Sequence, residues 1–505
     1  MKFAGKKAFV FNKAISVVAT ITLSSCALVQ YQPTQTINKV DLNSGYRLQK
    51  AFDNKRTSND DMLVILMLSG GGTRAAALGY GVMEQLQKQQ IPVKGKEVPF
   101  LSQVDVVYGV SGGSVLAAYF SMYGKDTIPS FEQRFLKQNF QHQVAKQVFS
   151  AANLPRLTSS QFGRGDLLQE QFEGSLFRNT TFGDLAAHRK GPFAVISATD
   201  MSIGNRIDFT QEYFDSMCLN LSSLKIARAV AASSAVPLVF APITLNNNGG
   251  NCGYSLPRAI KQVELEKEGK LTDQDRTAFS ENFKQYENSR ERPYIHLLDG
   301  GLTDNLGLRS LLDTAEVYPK HLLEEQLNSG SIKKVVIINV NAQNQVSSDI
   351  DKTADIPGMR AVAGAIVDIP IDKYSQESLR RFRQFVDKWN DQKISPDKKV
   401  GMYFVSLNLR DLPKSQLRDD ALNISTSFYL PRNDINNLKS AAKVLLSRSS
   451  EYKRLLNDLD AGRSVVQPTD ADLVWPAAGK EPVAAAASEE QQDYSNLLQS
   501  ASQPK

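Results

Sequence analysis

Two stretches of the chain pass directly from a run of apolar residues, through glycines, into a helical pattern. The first, DMLVILMLSGGG, covers residues 61–72, and the second, VDVVYGVSGGS, covers residues 104–114. Each apolar run is continuous rather than alternating, which is typical of a strand that is buried on both faces of a parallel sheet. Apolar residues at helical spacing follow, as in AALGYGVMEQLQKQQ. Repeated strand–helix units of this kind predict an α/β fold.

Further apolar runs extend the same pattern along the chain. They are FAVISATD at 193–200, YIHLLDGG at 294–301, KKVVIINVNA at 333–342 and VGMYFVSLNL at 400–409. We therefore expect a three-layer α/β/α sandwich with a mainly parallel central sheet. In such sheets the functional sites lie at the carboxyl ends of the strands.

The N-terminus has the pattern of a secretory signal peptide, residues 1–25. Four lysines and no acid precede AISVVATITL, an apolar run that is too short to span a bilayer as a stable helix. The run ends in LSSC, which resembles the lipobox of bacterial lipoproteins. The resemblance implies that Cys26 carries acyl chains (the diacylglycerol and palmitate type of anchor) and holds the protein on a membrane. Ala27 follows, and in that class this implies the outer membrane of a Gram-negative cell. The alternative is an ordinary signal peptide with a chance cysteine.

Charge and cysteine content limit the partners. Removal of residues 1–25 lowers the formal charge from +6 to +2, so the basic composition gives no argument for a nucleic-acid partner. After Cys26, the remaining cysteines are Cys218 and Cys252. In an exported chain such a pair favours a disulfide, and the alternative is two separate buried thiols.

Composition divides the rest of the chain. Residues 26–60 are polar and suit a membrane tether, and residues 61–345 form the predicted core. Within this core, residues 246–292 are polar and charged and are predicted to be an insertion, either a lid or a surface excursion. Residues 346–465 are predicted to be a C-terminal α/β extension that packs on the core. The Ala-, Ser-, Gln- and Pro-rich residues 466–505 are predicted to be a disordered tail.

Ser111 lies in GVSGG, between a predicted strand and a predicted helix. Glycines beside a nucleophile allow the sharp turn of a strand-to-helix elbow, and a serine at a helix N-terminus has backbone N–H groups nearby. The five-residue pattern is weak by itself, but its strand–turn–helix context is the one that this motif requires. The alternative is a glycine-rich turn without catalytic function.

A nucleophilic serine needs a base, and no histidine suits that role. His296 lies inside a strand, three residues before Asp299, and His321 lies in a Lys- and Glu-rich helical stretch; the other histidines are His142 and His188. A carboxylate is the alternative base. Asp299 ends an apolar strand and precedes two glycines, and Asp200 has a similar place and is its competitor. Either carboxylate could instead cap a turn.

The glycines at 70–72 suggest a second catalytic element. SGGGTRAAALG contains neither a phosphate-binding GxxxxGK[ST] nor a clean GxGxxG, so nucleotide binding is disfavoured. The N–H groups of Gly70, Gly71 and Gly72 could form an oxyanion hole, where one donor is worth about 3–4 kcal/mol. Arg74 either orders this loop or contacts a lipid phosphate.

GGGTRA, GVSGG and DGG, in this order, resemble the patatin-like phospholipases. The resemblance extends to ISATDMSIG at 196–204, to ARAVAASSAVPLVFAPI at 227–243 and to RGDLLQEQFEGSLFRNTTFGDL at 164–185, with weaker support from STSFYLP at 425–431. Together these motifs are specific, and they cover residues 62–345. Ala75 departs from the family pattern, which has glycine at the last place of the first motif.

The resemblance implies a patatin-like fold and a Ser–Asp dyad. Ser111 would be the nucleophile, Asp299 its base and Gly70–Gly72 the oxyanion hole, with no metal and no cofactor. The implied activity is hydrolysis of carboxylic esters of phospholipids or lysophospholipids, with membrane lipid as the partner. Two alternatives stay open: acyl transfer by the same dyad, and a non-catalytic lipid-binding lipoprotein.

Overall fold

A computed structural model of the protein describes residues 29–51, 61–255, 283–317, 332–344, 352–391 and 400–460. The predicted signal peptide, Cys26 and the predicted tail at 466–505 lie outside these residues. So do His321 and the middle of the predicted insertion, residues 256–282.

Ten strands and fourteen α-helices define the architecture of these residues. The strands are β1 (Met62–Leu68), β2 (Gln90–Val93), β3 (Lys96–Pro99), β4 (Val104–Val110), β5 (Phe193–Asp200), β6 (Asn205–Asp208), β7 (Ile243–Asn246), β8 (Tyr294–Asp299), β9 (Lys334–Asn341) and β10 (Gly401–Asn408). The helices are α1 (Gly72–Lys88), α2 (Gly112–Tyr123), α3 (Thr127–Phe131), α4 (Phe140–Val148), α5 (Arg164–Phe172), α6 (Phe182–His188), α7 (Gln211–Ser216), α8 (Ile226–Ser233), α9 (Gly301–Asp304), α10 (Leu308–Val317), α11 (Met359–Asp391), α12 (Gln416–Asn423), α13 (Arg432–Arg448) and α14 (Ser450–Asp458).

The central sheet has the strand order β10-β9-β1-β4-β5-β8-β7, with β6 also paired to β5. The five strands from β10 to β5 are parallel, whereas β6, β7 and β8 pair antiparallel to their neighbours. Helices pack on this sheet, so the predicted class, an α/β fold with a mainly parallel sheet, is confirmed. All seven residues of β1 are buried, as its continuous apolar run predicts.

The C-terminal segment is part of the same sheet. Strand β10 pairs with β9 in parallel from Gly401↔Lys334 to Asn408↔Asn341. Helix α13 packs on α1, where a Cβ atom at Gly81 would lie 2.9 Å from the Cβ atom of Ala442. Helices α13 and α14 are separate, because the chain bends at Ser449, whose side chain caps α14 by accepting the N–H of Tyr452.

The two described ends of the predicted insertion are joined by hydrogen bonds. The Asn247 side-chain amide donates to the carbonyls of Tyr286 and Arg292, at 3.0 and 2.9 Å. Cys252 forms a disulfide with Cys218, so this end of the insertion is also joined covalently to the loop after α7. The chain therefore leaves this region at residue 255 and returns at residue 283 between fixed points.

Candidate active site

Ser111 lies at the junction of β4 and α2, in a backbone conformation that few residues adopt. Its φ and ψ angles are 50° and −123°. A positive φ costs a non-glycine residue free energy, and such strain persists only where the surroundings enforce it. The carbonyl of Ser111 accepts two hydrogen bonds from Ser114, from the hydroxyl at 2.6 Å and from the N–H at 2.9 Å. These bonds hold the first turn of α2 against the serine.

The glycines after Ser111 are required by close contact between the elbow and the glycine loop. A Cβ atom at Gly112 would lie 1.9 Å from the carbonyl oxygen of Gly72, and one at Gly113 would lie 2.4 Å from the carbonyl oxygen of Leu68. No side chain fits at such distances, so the two glycine-rich motifs of the sequence touch through their backbones.

The Ser111 hydroxyl lies beside the carboxylate of Asp299, close enough to stabilise its ionised form. Asp299 is the last residue of β8, which runs antiparallel to β5, so that Asp299 pairs with Ala198. We expected this carboxylate at the carboxyl edge of a parallel strand. It reaches the site from the opposite direction, because the short strand β8 ends level with the end of β4.

Burial makes Asp299 an unusually basic carboxylate. Ser111 and Asp299 are only 4% and 7% exposed. Desolvation raises the pKa of Asp299 from 3.8 to about 6, although the Gly301 N–H, 2.8 Å from Oδ1, and the Ser111 hydroxyl both stabilise the ionised form. A base with a pKa near the working pH is well matched to proton abstraction.

Ser233, the last residue of α8, connects the serine with the acid. Its hydroxyl accepts the Ser111 N–H at 2.8 Å and donates to the carbonyl of Ser197 at 2.6 Å. Its own carbonyl accepts the N–H of Gly300, at 3.1 Å. Ser233 is not among the predicted site residues, although it lies inside the ARAVAASSAVPLVFAPI motif.

The glycine loop differs from the prediction at one position. The N–H of Gly70 donates to the carbonyl of Asn305 at 3.0 Å, so it is already occupied and Gly70 as an oxyanion-hole donor is wrong. Within the described part of the chain, the N–H groups of Gly71 and Gly72 have no acceptor. Both residues have positive φ angles, 133° and 60°, which turn the loop into α1.

Arg74 orders the loop and does not face a substrate. The side chain is buried, with Nε donating to the carbonyl of Ala342 at 2.8 Å and Nη1 to the carbonyl of Ile424 at 2.7 Å. Burial lowers the pKa of its guanidinium to about 10, an effect that the charge of Asp368 opposes. The predicted contact with a lipid phosphate is therefore wrong, because the guanidinium is committed to backbone carbonyls.

The competing residues lie elsewhere. The Asp200 carboxylate is fully buried and is paired with Arg292 at 2.6 Å and with the hydroxyl of Tyr286 at 3.1 Å, so its role is structural. His296 is exposed and contacts Thr244, on the strand face opposite to that of Asp299. His142 and His188 are also exposed.

Two further features of the described residues concern other possible ligand sites. Among the described residues, no group of three or more His, Cys, Asp and Glu side chains could hold a metal ion. A cavity of about 800 Å³ lies between α11, β10 and α14, with Arg383, Phe404 and Arg448 in its wall, but neither Ser111 nor Asp299 lines it. We therefore place the candidate active site at the serine rather than at this cavity.

Residues 66–312 match the family model of patatin-like phospholipase, and this match contains the glycine loop, Ser111 and Asp299. This part of the chain is a patatin-like phospholipase domain. Membership of this family supports lipid hydrolase activity for the domain. No curated protein sequence matched the chain. Within the described residues, no helix has both the length and the apolar character needed to cross a membrane.

Solved structures with similarity to the chain include two phospholipase structures and a bacterial protein. Human GIVD cytosolic phospholipase A2 is 10% identical, over 86% of this chain and 68% of its own, with a TM-score of 0.41. Its complex with methyl gamma-linolenyl fluorophosphonate is 12% identical, over 86% of this chain and 66% of its own, with a TM-score of 0.43. VipD from Legionella pneumophila is 12% identical, over 86% of this chain and 72% of its own, with a TM-score of 0.30. At these scores the patatin-like assignment rests on the family match alone.

Proposed function

We propose that the patatin-like domain hydrolyses carboxylic esters of phospholipids or lysophospholipids through a Ser111–Asp299 dyad and an acyl-enzyme. The observation that carries this proposal is the placement of the serine hydroxyl beside a buried carboxylate whose pKa is raised to about 6. The serine needs no histidine in this arrangement, since the carboxylate itself is basic enough to accept its proton near neutral pH.

In the first half of the reaction, Asp299 accepts the hydroxyl proton as Ser111 Oγ bonds to the ester carbonyl carbon. The carbonyl electron pair moves to oxygen, and the free N–H groups of Gly71 and Gly72 stabilise the resulting oxyanion. When the tetrahedral intermediate collapses, the bond to the alcohol oxygen breaks. Protonated Asp299 returns its proton to that oxygen, and the alcohol or lysolipid leaves.

In the second half, water replaces the alcohol. Asp299 removes a proton from water as the hydroxide oxygen bonds to the acyl carbon, and collapse releases the fatty acid and restores Ser111. If another alcohol takes the place of water, the same steps transfer the acyl group. Hydrolysis and transfer are therefore separated by the products and not by the dyad.

The decisive test is labelling of the purified full chain with a fluorophosphonate, which phosphonylates an activated serine with loss of fluoride. We expect labelling of the wild type, none of Ser111→Ala, and little of Asp299→Asn. The matched control is His296→Ala, which should label and hydrolyse like the wild type because that side chain lies on the other face of β8. Wild-type protein that is folded but neither labels nor hydrolyses lipid would favour the lipid-binding alternative.

We further propose that a lipidated Cys26 anchors the domain to the outer membrane. The support is the LSSC lipobox that follows the apolar run of the signal peptide. Cys26→Ala should shift the protein from the membrane fraction of the envelope to the soluble fraction and should abolish incorporation of labelled palmitate. Unchanged palmitate incorporation in that variant would exclude Cys26 as the lipidated residue.

A further inference from the structure

The first third of α11 carries a row of exposed apolar side chains. Met359, Val362, Ile366 and Ile369 are 88%, 46%, 69% and 48% exposed, and Ile356, just before the helix, is 94% exposed. Their spacing of three and four residues places them on one face of the helix. We call these five residues the apolar stripe. Exposed apolar rows of this kind mark surfaces that bind a protein or a membrane.

The stripe faces away from the protein. Further along α11, the inward face is marked by Asp372 and Ser375, both buried, and by Phe382, which packs on Phe404 of β10. These positions and the stripe occupy different sides of the helix, because successive residues rotate by about 100°. Pro370 lies between the exposed and the packed parts of α11.

The same part of α11 lies at the edge of the sheet that holds the candidate active site. Asp372 pairs with Arg410, two residues after β10 ends, at 2.7 Å. The charge of Asp368 acts on Arg74 in the first turn of α1, directly after the glycine loop. The helix also packs against α9, which begins two residues after Asp299. The stripe, which flanks Asp368, therefore lies near the glycine loop of the candidate active site, whose Ser111 is itself only 4% exposed.

We propose that the apolar stripe docks the protein on the surface of a lipid bilayer and holds the entrance of the active site against it. This inference rests on the proposed function, since an ester lipid must pass from the bilayer to the buried Ser111. An amphipathic helix lying in the plane of the bilayer interface buries an apolar face of this kind. A second copy of the chain is disfavoured as the occupant, because a stable protein interface uses roughly 20–30 residues on each side.

The docking can be tested without any catalysis, by an environment-sensitive fluorophore on a single cysteine. We would place it at Ile366→Cys, in the full chain carrying Cys26→Ala, and add phosphatidylcholine–phosphatidylethanolamine vesicles. The matched control is Leu42→Cys, because Leu42 is 73% exposed and lies four residues before Tyr46. The Tyr46 hydroxyl bonds Ala194 near the start of β5, at the end of the strands opposite the candidate active site. We expect a blue shift at position 366 and none at position 42.

Three results would overturn the proposal: no shift at position 366, equal shifts at both positions, or a shift at position 366 that depends on protein concentration without vesicles. The last result would assign the stripe to a contact between two copies of the chain. Because the readout is fluorescence, none of these results depends on whether the protein hydrolyses lipid.

Activity gives the second test. The double variant Ile366→Gln/Ile369→Gln should hydrolyse vesicle lipid about tenfold more slowly than the wild type, since two apolar side chains no longer enter the bilayer. It should hydrolyse a soluble short-chain ester within twofold of the wild type, and Leu42→Gln should match the wild type on both substrates. Equal losses on both substrates would contradict docking. A wild type inactive on both would contradict the proposed function and leave the fluorescence result to decide on docking.

Discussion

Ser233 accepts the backbone N–H of Ser111 at 2.8 Å and, through its own carbonyl, accepts the N–H of Gly300 at 3.1 Å. Ser111, which follows β4, and Gly300, which follows Asp299, are thus both hydrogen-bonded to a single residue at the end of α8. The spacing between the nucleophile and its base is fixed by this link and not by either motif alone.

The first prediction concerns Ser233 as a positioning residue. Ser233→Ala leaves the buried Ser111 N–H without an acceptor, which costs about 1–3 kcal/mol. We expect kcat on a soluble ester to fall about tenfold to a hundredfold with little change in KM. Ser234→Ala is the matched control, because the Ser234 hydroxyl is buried and has no hydrogen-bond partner in the described structure. Equal losses in the two variants would show a general packing effect and no link to the serine.

The second prediction concerns pH. Asp299 must be ionised to accept a proton, and burial raises its pKa to about 6. The fraction in the active form therefore rises with pH, so kcat/KM should be half-maximal near pH 6, fall about tenfold for each pH unit below that, and level off above it. A profile measured on a soluble ester between pH 4.5 and 8 checks this. Full activity at pH 4.5 would mean that the base is an ordinary exposed carboxylate.

The third prediction concerns stability. Because the pKa of Asp299 is raised on folding from 3.8 to about 6, its ionised form destabilises the folded state. Asp299→Asn should therefore be more stable than the wild type above pH 6, by up to about 3 kcal/mol, and the gap should close as the pH falls towards 4. Urea unfolding at pH 4.5, 6 and 8 measures this gap. The exposed Asp387→Asn should show none, and a gap independent of pH would argue against a buried charge at Asp299.

The fourth prediction concerns the contact between the two glycine motifs. Gly112→Ala would place a Cβ atom 1.9 Å from the carbonyl oxygen of Gly72, so the elbow and the loop must move apart. We expect a loss of about 1–3 kcal/mol in stability and a fall of about a hundredfold in kcat/KM. Gly174→Ala is the control, since nothing lies within 4 Å of its Cβ position. Near-wild-type activity of Gly112→Ala would mean that this contact does not set the site geometry.

The fifth prediction concerns Arg74. Arg74→Gln removes the donors to two buried carbonyls and should lower the free energy of unfolding by about 2–4 kcal/mol. Any loss of activity should be the same factor for a phospholipid and for a neutral ester, because Arg74 holds the loop and does not bind phosphate. The exposed, surface-paired Arg380→Gln should change stability little. A rise in KM confined to the phospholipid would restore the phosphate-binding role.

Much of this fold and of the candidate site could be predicted from the local sequence. Strands β1, β4, β5, β9 and β10 follow the continuous apolar runs, and the elbow at Ser111 follows from a strand, glycines and a helix in succession. These features depend on neighbours within about ten residues, which is the range that periodicity and turn chemistry describe.

The parts that were missed depend on partners distant in the chain. The N–H of Gly70 is taken by the carbonyl of Asn305, and the guanidinium of Arg74 by that of Ile424. Neither pairing has a local signal. The start of α11 has a weak local signal for another reason. The helix begins at Met359, but Gly364 and Pro370 weaken the helical pattern of its exposed part.

The fastening of the insertion by Asn247 and the Cys218–Cys252 disulfide has a consequence for engineering. Residues 255 and 283 stay in place whatever joins them, and the entropy of closing a loop grows only by about 0.6 kcal/mol for each doubling of its length. The stretch between them is therefore an insertion site, where an affinity tag, a fluorescent reporter or a regulatory domain can be added without disturbing Ser111 and Asp299. The same tolerance would let evolution lengthen or replace this stretch while the chemistry stays unchanged.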